Sequence, residues 1–566
     1  MWFASAPATV AVLVSFLAAG ADRPAGHAAA MRSEVLARNG MVATSHPLAS
    51  LAGVDILQRG GNAIDAAIAA DAVLGVVEPM SCGPGGDLFA LVWDAKTQKL
   101  YGLNASGRSP YAANRELFTN QGLTEIPERG PLSWSVPGCV DGWDALRTRF
   151  GSLSFEQTLA PAIQCAEDGF AVTPIIAADW RASEKLLKAT PDATRTYLKN
   201  GRAPRVGEVM TNPYLAATYR QIARQGRDAF YRGEIARQIV AFSEANGGLF
   251  SLRDFADHAS TWVDPVSTSY RGYDVWELPP NGQGIAVLQI LNLLEPFDLK
   301  SLGHNSADYL HLFIEAKKLA YADRAVFYAD PEVEKRLPMA ELISKSYADR
   351  RRALIDRAKA AREVPVGDPK LGRAETIYLT VVDKDRNAVS LIQSLYMGFG
   401  SGLVPGDLGF ALQNRGCLFA LDEKHHNRLE PHKRPFHTII PAMVTRDGRP
   451  WLSFGVMGGD MQPQGQVQVL CNLIDFGMDV QAAGDAARCA HNGSSTPTGR
   501  VMKDGGKVTV ESSVSDETVA ALNAKGHNVA RSKSGFGGYQ GILIDAENGV
   551  LHGGSDSRKD GCAIGF

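Results

Sequence analysis

Thr376 opens a run of alternating apolar and polar residues, 376–382, directly after a polar stretch, 363–375, that carries two prolines and two glycines and reads as exposed loop. A second run, Ala388–Tyr396, follows a turn at residues 383–387 rich in turn formers. A hairpin centred on Asp385 sets Thr376 opposite Ser394, with Cβ atoms about 4.5–5.5 Å apart. Ile377, Leu379, Val381, Val389, Leu391 and Leu395 then share a core face, and Thr376, Thr380, Ser390 and Ser394 share a more polar one. A threonine hydroxyl is a weak nucleophile without a base. Cutting the peptide bond before Thr376 would free an α-amine whose ordinary pKa is about 8, close to working pH and on the same residue. The competing reading is that Thr376 is a β-branched strand residue and nothing more.

Other residue types invite other chemistry. His425, His426, His432 and His437 fall close together but without a zinc-ligand spacing. The Gly-rich stretches "CGPGGD" (82–87) and "NGQGIAVLQ" (281–289) lack the phosphate-loop and dinucleotide patterns. "DKDRN" at 383–387 begins like a calcium loop, but Ala388 stands where a glycine is needed and Ser394 where a glutamate is needed. The seven cysteines are scattered, with no CxxC pair, which argues against a disulfide framework and a cysteine zinc site.

The elements that must position these groups come from a chain of 566 residues, 45% hydrophobic and 21% charged, enough for a large core. A net charge of −3 offers no basic field for nucleic acid. Residues 40–79 read as a strand and two helices. Residues 87–105 read as a hairpin, and 152–169 and 306–328 as helices. Residues 206–248 read as mostly helical, and 270–297 as strand, loop and helix. Beyond 375 the chain reads as strand-rich to its end. Helices before, strands around and no clean linker suggest one intertwined α/β unit. Residues 10–21 form a short apolar run, followed by small residues at Ala28 and Ala30. It resembles a signal peptide, although no Lys or Arg precedes it. Export to a periplasm or medium follows if it is one, and a cytoplasmic protein if it is not. No later stretch is apolar for long enough to span a membrane.

"TIYLTVVDKDRNAVS", "GNAIDAA", "CGPGGD", "EAKKLAYADR", "KRPFHTIIPAMV" and "GVMGGDMQPQG" together resemble the γ-glutamyltranspeptidase family, in the same motif order from about residue 40 to 566. The resemblance implies an N-terminal nucleophile hydrolase, an α/β fold built as a four-layer αββα sandwich, and a precursor that cuts itself before a threonine. Carried over, Thr376 is that threonine and Ser394 its supporting hydroxyl. Gly458 and Gly459 are the pair whose backbone N–H groups hold the oxyanion. The implied division is a leader at 1–30, a large subunit at 31–375 and a small subunit at 376–566. The two fragments form a heterodimer with no cofactor, no metal and no nucleic-acid partner.

The substrate positions depart from the family. Arg108 stands near the arginine that holds an α-carboxylate, but its spacing to Pro110 is shifted. His437 and Thr438 replace a Ser-Ser pair. Leu418 replaces the acid that pairs with the α-amine, and Arg415 replaces a glutamine. A leucine cannot compensate an ammonium and an added arginine repels it. Arg108 and Arg415 suit a carboxylate with no amine beside it. The substrate expected is a γ-glutamyl compound such as glutathione or a related small acidic amide, with oxamate-type amides as the alternative. A non-catalytic, uncleaved binding homologue, or a metal or phosphate binder, are the readings from other classes.

Overall fold

The computed structural model describes residues 32–364 and 375–566. The leader-like segment and most of the loop before Thr376 lie outside the described residues. Among those described, no helix is long and apolar enough to cross a membrane.

Two fully antiparallel seven-stranded sheets face one another. The first runs Cys562–Gly565, Met41–Thr44, Glu375–Val382, Ala388–Tyr396, Asp87–Asp94, Lys99–Ala105, Thr261–Val263. The second runs Val35–Ala37, Val550–Ser555, Gly538–Asp545, Arg449–Met457, Ala442–Arg446, Tyr273–Glu277, Val266–Tyr270. Helices Pro47–Gln58, Ala63–Val77 and Cys139–Phe150 cover the outer face of the first, and Ile285–Leu294, Met461–Ile474 and Val480–Asp485 that of the second. Apolar side chains including Tyr378, Val382 and Ile392 meet Met443, Met457 and Ile542 between the sheets. The result is the four-layer αββα sandwich. Strands from both sides of Thr376 share each sheet: Glu375–Val382 lies between Ala388–Tyr396 and Met41–Thr44, and Ala388–Tyr396 pairs next with Asp87–Asp94.

Local chemistry explains the helix starts. Asn62 and Asp65 form a reciprocal capping box on Ala63–Val77, Ser154 and Gln157 do the same for Phe155–Asp168, and Ser306 caps Ala307–Phe327. The hairpin keeps its expected register from Ile377 onward, with Ile377 opposite Gln393, Leu379 opposite Leu391 and Val381 opposite Val389. It shifts between Glu375 and Ile377, where Glu375 stands opposite Tyr396 and Thr376 has no directly opposed residue. Its "polar" face is not solvated. The second sheet covers it, Tyr378 and Ile392 enter the inter-sheet core, and the Thr380 and Ser390 hydroxyls pair with Ser453 (2.7 Å) and Tyr378 (2.8 Å).

The strand-rich reading of the C-terminal part fails at Met461–Ile474, which is a helix. Gln462, Gln464, Gln466 and Gln468 alternate with small and apolar residues, which in sequence mimics a half-buried strand. All four are buried, and their amides bond to backbone groups of Ile440, His491 and Cys489.

One buried group sets a pH dependence. Asp71 is fully buried in the Ala-rich helix Ala63–Val77; its Oδ2 accepts from Trp143 Nε1 at 2.7 Å and its Oδ1 has no partner among the described residues. Burial pushes its pKa up to about 7. The unfolded chain ionises this group near pH 4, whereas the folded one keeps it neutral to about 7. Its contribution therefore falls as pH rises across that window. Asp71→Asn should gain on the wild type by up to about 1.4 kcal/mol per pH unit between those limits and level off above. Parallel denaturation curves for the two proteins at pH 4.5, 6 and 7.5 would refute this.

Candidate active site

Thr376 is almost wholly buried at the start of its strand, and its Oγ1 lies 3.2 Å from Ser394 Oγ on the neighbouring strand. Ser394 Oγ also accepts the Tyr396 N–H at 2.8 Å, which fixes its rotamer. Ser394 sits opposite Asp87 on its other side. Gly86 permits this approach, because a Cβ there would stand 2.7 Å from the Ser394 carbonyl oxygen.

Strand Arg449–Met457 of the second sheet ends at Gly458 and Gly459, with φ of 116° and 58°. Only glycine adopts the first without strain, and a Cβ there would meet Gly537 Cα at 3.0 Å. The turn leads into helix Met461–Ile474, and the N–H groups of Gly458 and Gly459 bond to no partner among the described residues. Free donors at a helix start suit a developing negative charge. Gln462, one turn on, reaches Thr376 Oγ1 with its Nε2 at 3.5 Å, so this turn flanks the threonine.

Against Tyr396, the end of that strand, the short helical turn Arg415–Leu418 sets a cation. Arg415 is fully buried, with its guanidinium 4.7 Å from the Tyr396 ring. Its Nη1 donates to Thr438 Oγ1 at 2.6 Å, while Nε and Nη2 have no hydrogen-bond partner among the described residues. Burial lowers its pKa to about 10, so it remains cationic at neutral pH. Two devices hold it in place. Gln413 Oε1 accepts its backbone N–H at 3.0 Å, and Gln413 Nε2 donates to Asp87 Oδ2 at 3.0 Å. His437 Nε2 donates to the same oxygen at 3.1 Å, anchoring the residue next to Thr438. Burial pushes Asp87 up to about 7, against the pull of Arg415 and the Gly107 and Gly138 N–H groups. His437 stays neutral, because burial and the Arg415 charge both push its pKa well down.

The structure therefore brings Thr376, Ser394, Gly458, Gly459, Arg415 and Thr438 into one constellation. It does not bring in Arg108, whose Nη2 pairs with Glu332 at 2.6 Å and whose Nη1 donates to Ala259 O at 3.3 Å. The expected pair of arginines on one carboxylate is thus a single arginine with open donors. His437 is also spoken for, since Nδ1 accepts from Ile439 N at 3.4 Å while Nε2 serves Asp87. Leu418 is buried in the apolar core. Sequence reasoning missed Asp87 and Gln283, which lie in the two Gly-rich stretches set aside as lacking a nucleotide pattern.

The four loosely grouped histidines disperse. His425 bonds to Ala325 O at 2.9 Å, His426 pairs with Glu334 at 3.3 Å, and His432 stacks on Tyr111. A different group, His311, Glu315 and His527, offers three ligand atoms close together. Those atoms are already engaged: His311 Nδ1 with His527 Nε2 (2.8 Å), His311 Nε2 with Asp356 O (2.7 Å), and Glu315 with Lys318 (2.8 Å).

A family model described as gamma-glutamyltranspeptidase matches residues 49–566. The chain belongs to that family. It is 40% identical to the glutathione hydrolase-like YwrD proenzyme of Bacillus subtilis (strain 168), over 95% of this chain and 100% of the relative. It is 34% identical to the oxamate amidohydrolase proenzyme of Klebsiella pneumoniae, over 95% and 100%. The crystal structure of a cephalosporin acylase from Bacillus halodurans superposes with a TM-score of 0.87 at 42% identity, covering 96% of this chain and 99% of that one. As a gamma-glutamyltranspeptidase-family member with the N-terminal nucleophile fold, the chain is a hydrolase or transferase enzyme.

Proposed function

We propose that this protein is a self-cleaving amidohydrolase or acyltransferase whose nucleophile is Thr376 and whose substrate is a small amide bearing a carboxylate. The observation that carries the reading is Thr376 Oγ1 held 3.2 Å from Ser394 Oγ, beside the open N–H groups of Gly458 and Gly459. In maturation the Thr376 hydroxyl attacks the Glu375 carbonyl and the C–N bond breaks. Water then hydrolyses the resulting ester, leaving Thr376 with a free α-amine. In turnover that amine takes the hydroxyl proton as Oγ1 attacks the substrate carbonyl. Gly458 and Gly459 bind the oxyanion, and the proton passes to the departing nitrogen. Water or an acceptor amine then releases the acyl group. The "proenzyme" in the relatives' names supports the cut.

The acyl group is read from Arg415. Two guanidinium nitrogens of Arg415 have no hydrogen-bond partner among the described residues, and a substrate carboxylate fits this planar fork. Leu418 offers nothing to an α-ammonium, so an oxamate-type amide matches this chain better than a γ-glutamyl compound. The name of the oxamate amidohydrolase relative supports that choice, and that of the glutathione hydrolase-like relative keeps glutathione as the second substrate to assay.

Intact-mass measurement and N-terminal sequencing of purified protein test the first half. A light fragment beginning Thr-Ile-Tyr-Leu is expected, and the start of the heavy fragment reports whether a leader is removed. Hydrolysis of oxamate-like amides above glutathione tests the second half. A single uncut, inactive chain would overturn the proposal.

A further inference from the structure

Gln283 lies in the loop between strand Tyr273–Glu277 and helix Ile285–Leu294, and it is fully buried. Its Nε2 donates to two carbonyl oxygens, Gly459 O at 2.9 Å and Thr438 O at 2.7 Å. These belong to the two halves of the site. Gly459 is one of the oxyanion glycines, and Thr438 is the partner of the Arg415 guanidinium. One amide nitrogen thus fixes the turn that faces the scissile carbonyl against the segment that faces the substrate carboxylate.

Gln283 is itself held. Its Oε1 accepts from Arg324 Nη1 at 2.5 Å, and that guanidinium also grips Asp460, next to Gly459, at 2.7 and 3.3 Å. Arg324 is fully buried and lies on the Tyr321 ring, and the Tyr321 hydroxyl donates to Asp460 O at 2.6 Å. Tyr321 and Arg324 are three residues apart on helix Ala307–Phe327, so they share one face. The Gly458–Gly459 turn is therefore tied to a long helix at Asp460 and to the carboxylate segment at Gly459. A rotation of the Gln283 amide would break both carbonyl contacts and oppose its Nε2 to the Arg324 cation, so its orientation is fixed.

We infer that Gln283, oriented by Arg324, sets the distance between the carboxylate receptor and the oxyanion donors and so selects the length of the acyl group. This rests on the function proposed above and deepens it. Both residues are positioning residues, since neither reaches the reacting atoms. A substrate spans the gap when its carboxylate meets Arg415 while its amide carbon sits over Thr376. One methylene more or fewer displaces the carbonyl from the donors, and a displacement of about 1 Å at a reacting centre costs on the order of 10²-fold.

The test is a chain-length profile on the matured enzyme. The kcat/KM values for the amides oxamate, malonamate, succinamate and glutaramate are measured for wild type, Gln283→Leu and Arg324→Lys. The wild type should peak at one length and fall by about 10-fold or more for its neighbours. Both variants should flatten that profile to within roughly threefold, with the loss concentrated in kcat at the preferred length. A general weakening of the fold would lower all four values together and leave the peak in place, and that result overturns the inference. Arg324→Lys keeps a cation facing Asp460 and decides the matter if Gln283→Leu does not fold. A wild type that hydrolyses none of the four anionic amides would instead fail the underlying function, and a retained peak in the variants fails only the positioning role.

Discussion

Thr376→Ala should yield one uncut chain with no measurable amidase activity. The substitution removes the only group that combines a hydroxyl with a prospective chain terminus. Ser394 Oγ is 3.2 Å away, but it sits mid-chain, has no α-amine, and already accepts the Tyr396 N–H. With neither nucleophile nor base, the loss should be at least on the order of 10⁴-fold, the scale seen when a nucleophile is deleted elsewhere. Thr376→Ser keeps the hydroxyl and should still cut and turn over, more slowly, because the missing methyl loosens the rotamer that faces Ser394. Gel analysis and intact mass read the cut, and amide hydrolysis reads the turnover. Cleavage at the same bond in the alanine variant would remove Thr376 from its role.

Arg415→Gln should have the second-largest effect, and a selective one. Arg415 reaches neutral pH as a cation although burial draws its pKa down to about 10, so a bound carboxylate meets a full charge away from water. Losing a charge-assisted, forked contact of this kind costs about 3 kcal/mol, or on the order of 10²-fold in kcat/KM. The loss should appear mainly in KM, because the carboxylate is held equally before and during reaction. A neutral amide of matching shape should lose little. Arg415→Lys should fall between the two, since an ammonium supplies charge without the planar fork. Equal losses on anionic and neutral amides would mean that Arg415 supports the fold and not the substrate.

What could be read in the sequence was local. The hairpin register from Ile377 onward followed from alternation on either side of a turn at Asp385; the shift between Glu375 and Ile377 was not legible, and Thr376 meets Ser394 through their hydroxyls. The helices read at 152–169 and 306–328 were legible for the same reason, since their apolar spacing is local. The proposed receptor for a carboxylate was legible only as charge: Arg415 was suspicious beside Leu418, but its bond to Thr438 depends on how two loops fold together. Arg108 misled because its partner, Glu332, lies far along the chain, and nothing near residue 108 announces the pairing. His437 misled because a histidine beside a candidate site looks like a ligand until Asp87 is found behind it. Gln283 was invisible, since it joins Gly459 and Thr438 across a distance in sequence that no motif spans. Alternating glutamines disguised a helix as a strand, because periodicity cannot separate a polar residue facing water from one bonded to a buried backbone.

If the bond before Thr376 is cut as proposed, the interleaving of strands has a consequence for the life of the molecule. Glu375–Val382 and Ala388–Tyr396 are wedged between Met41–Thr44 and Asp87–Asp94, so neither fragment owns a complete sheet. The two pieces cannot part without tearing open both sheets, and they hold together with no covalent link. The tether that guided the first assembly is then gone. Two separated chains must find one another and interdigitate strand by strand, at a concentration cost the precursor never faced. On the proposed cleavage, folding becomes a one-time event, and denatured cut protein is expected not to regain activity on dilution, whereas an uncut Thr376→Ala chain should regain its fold.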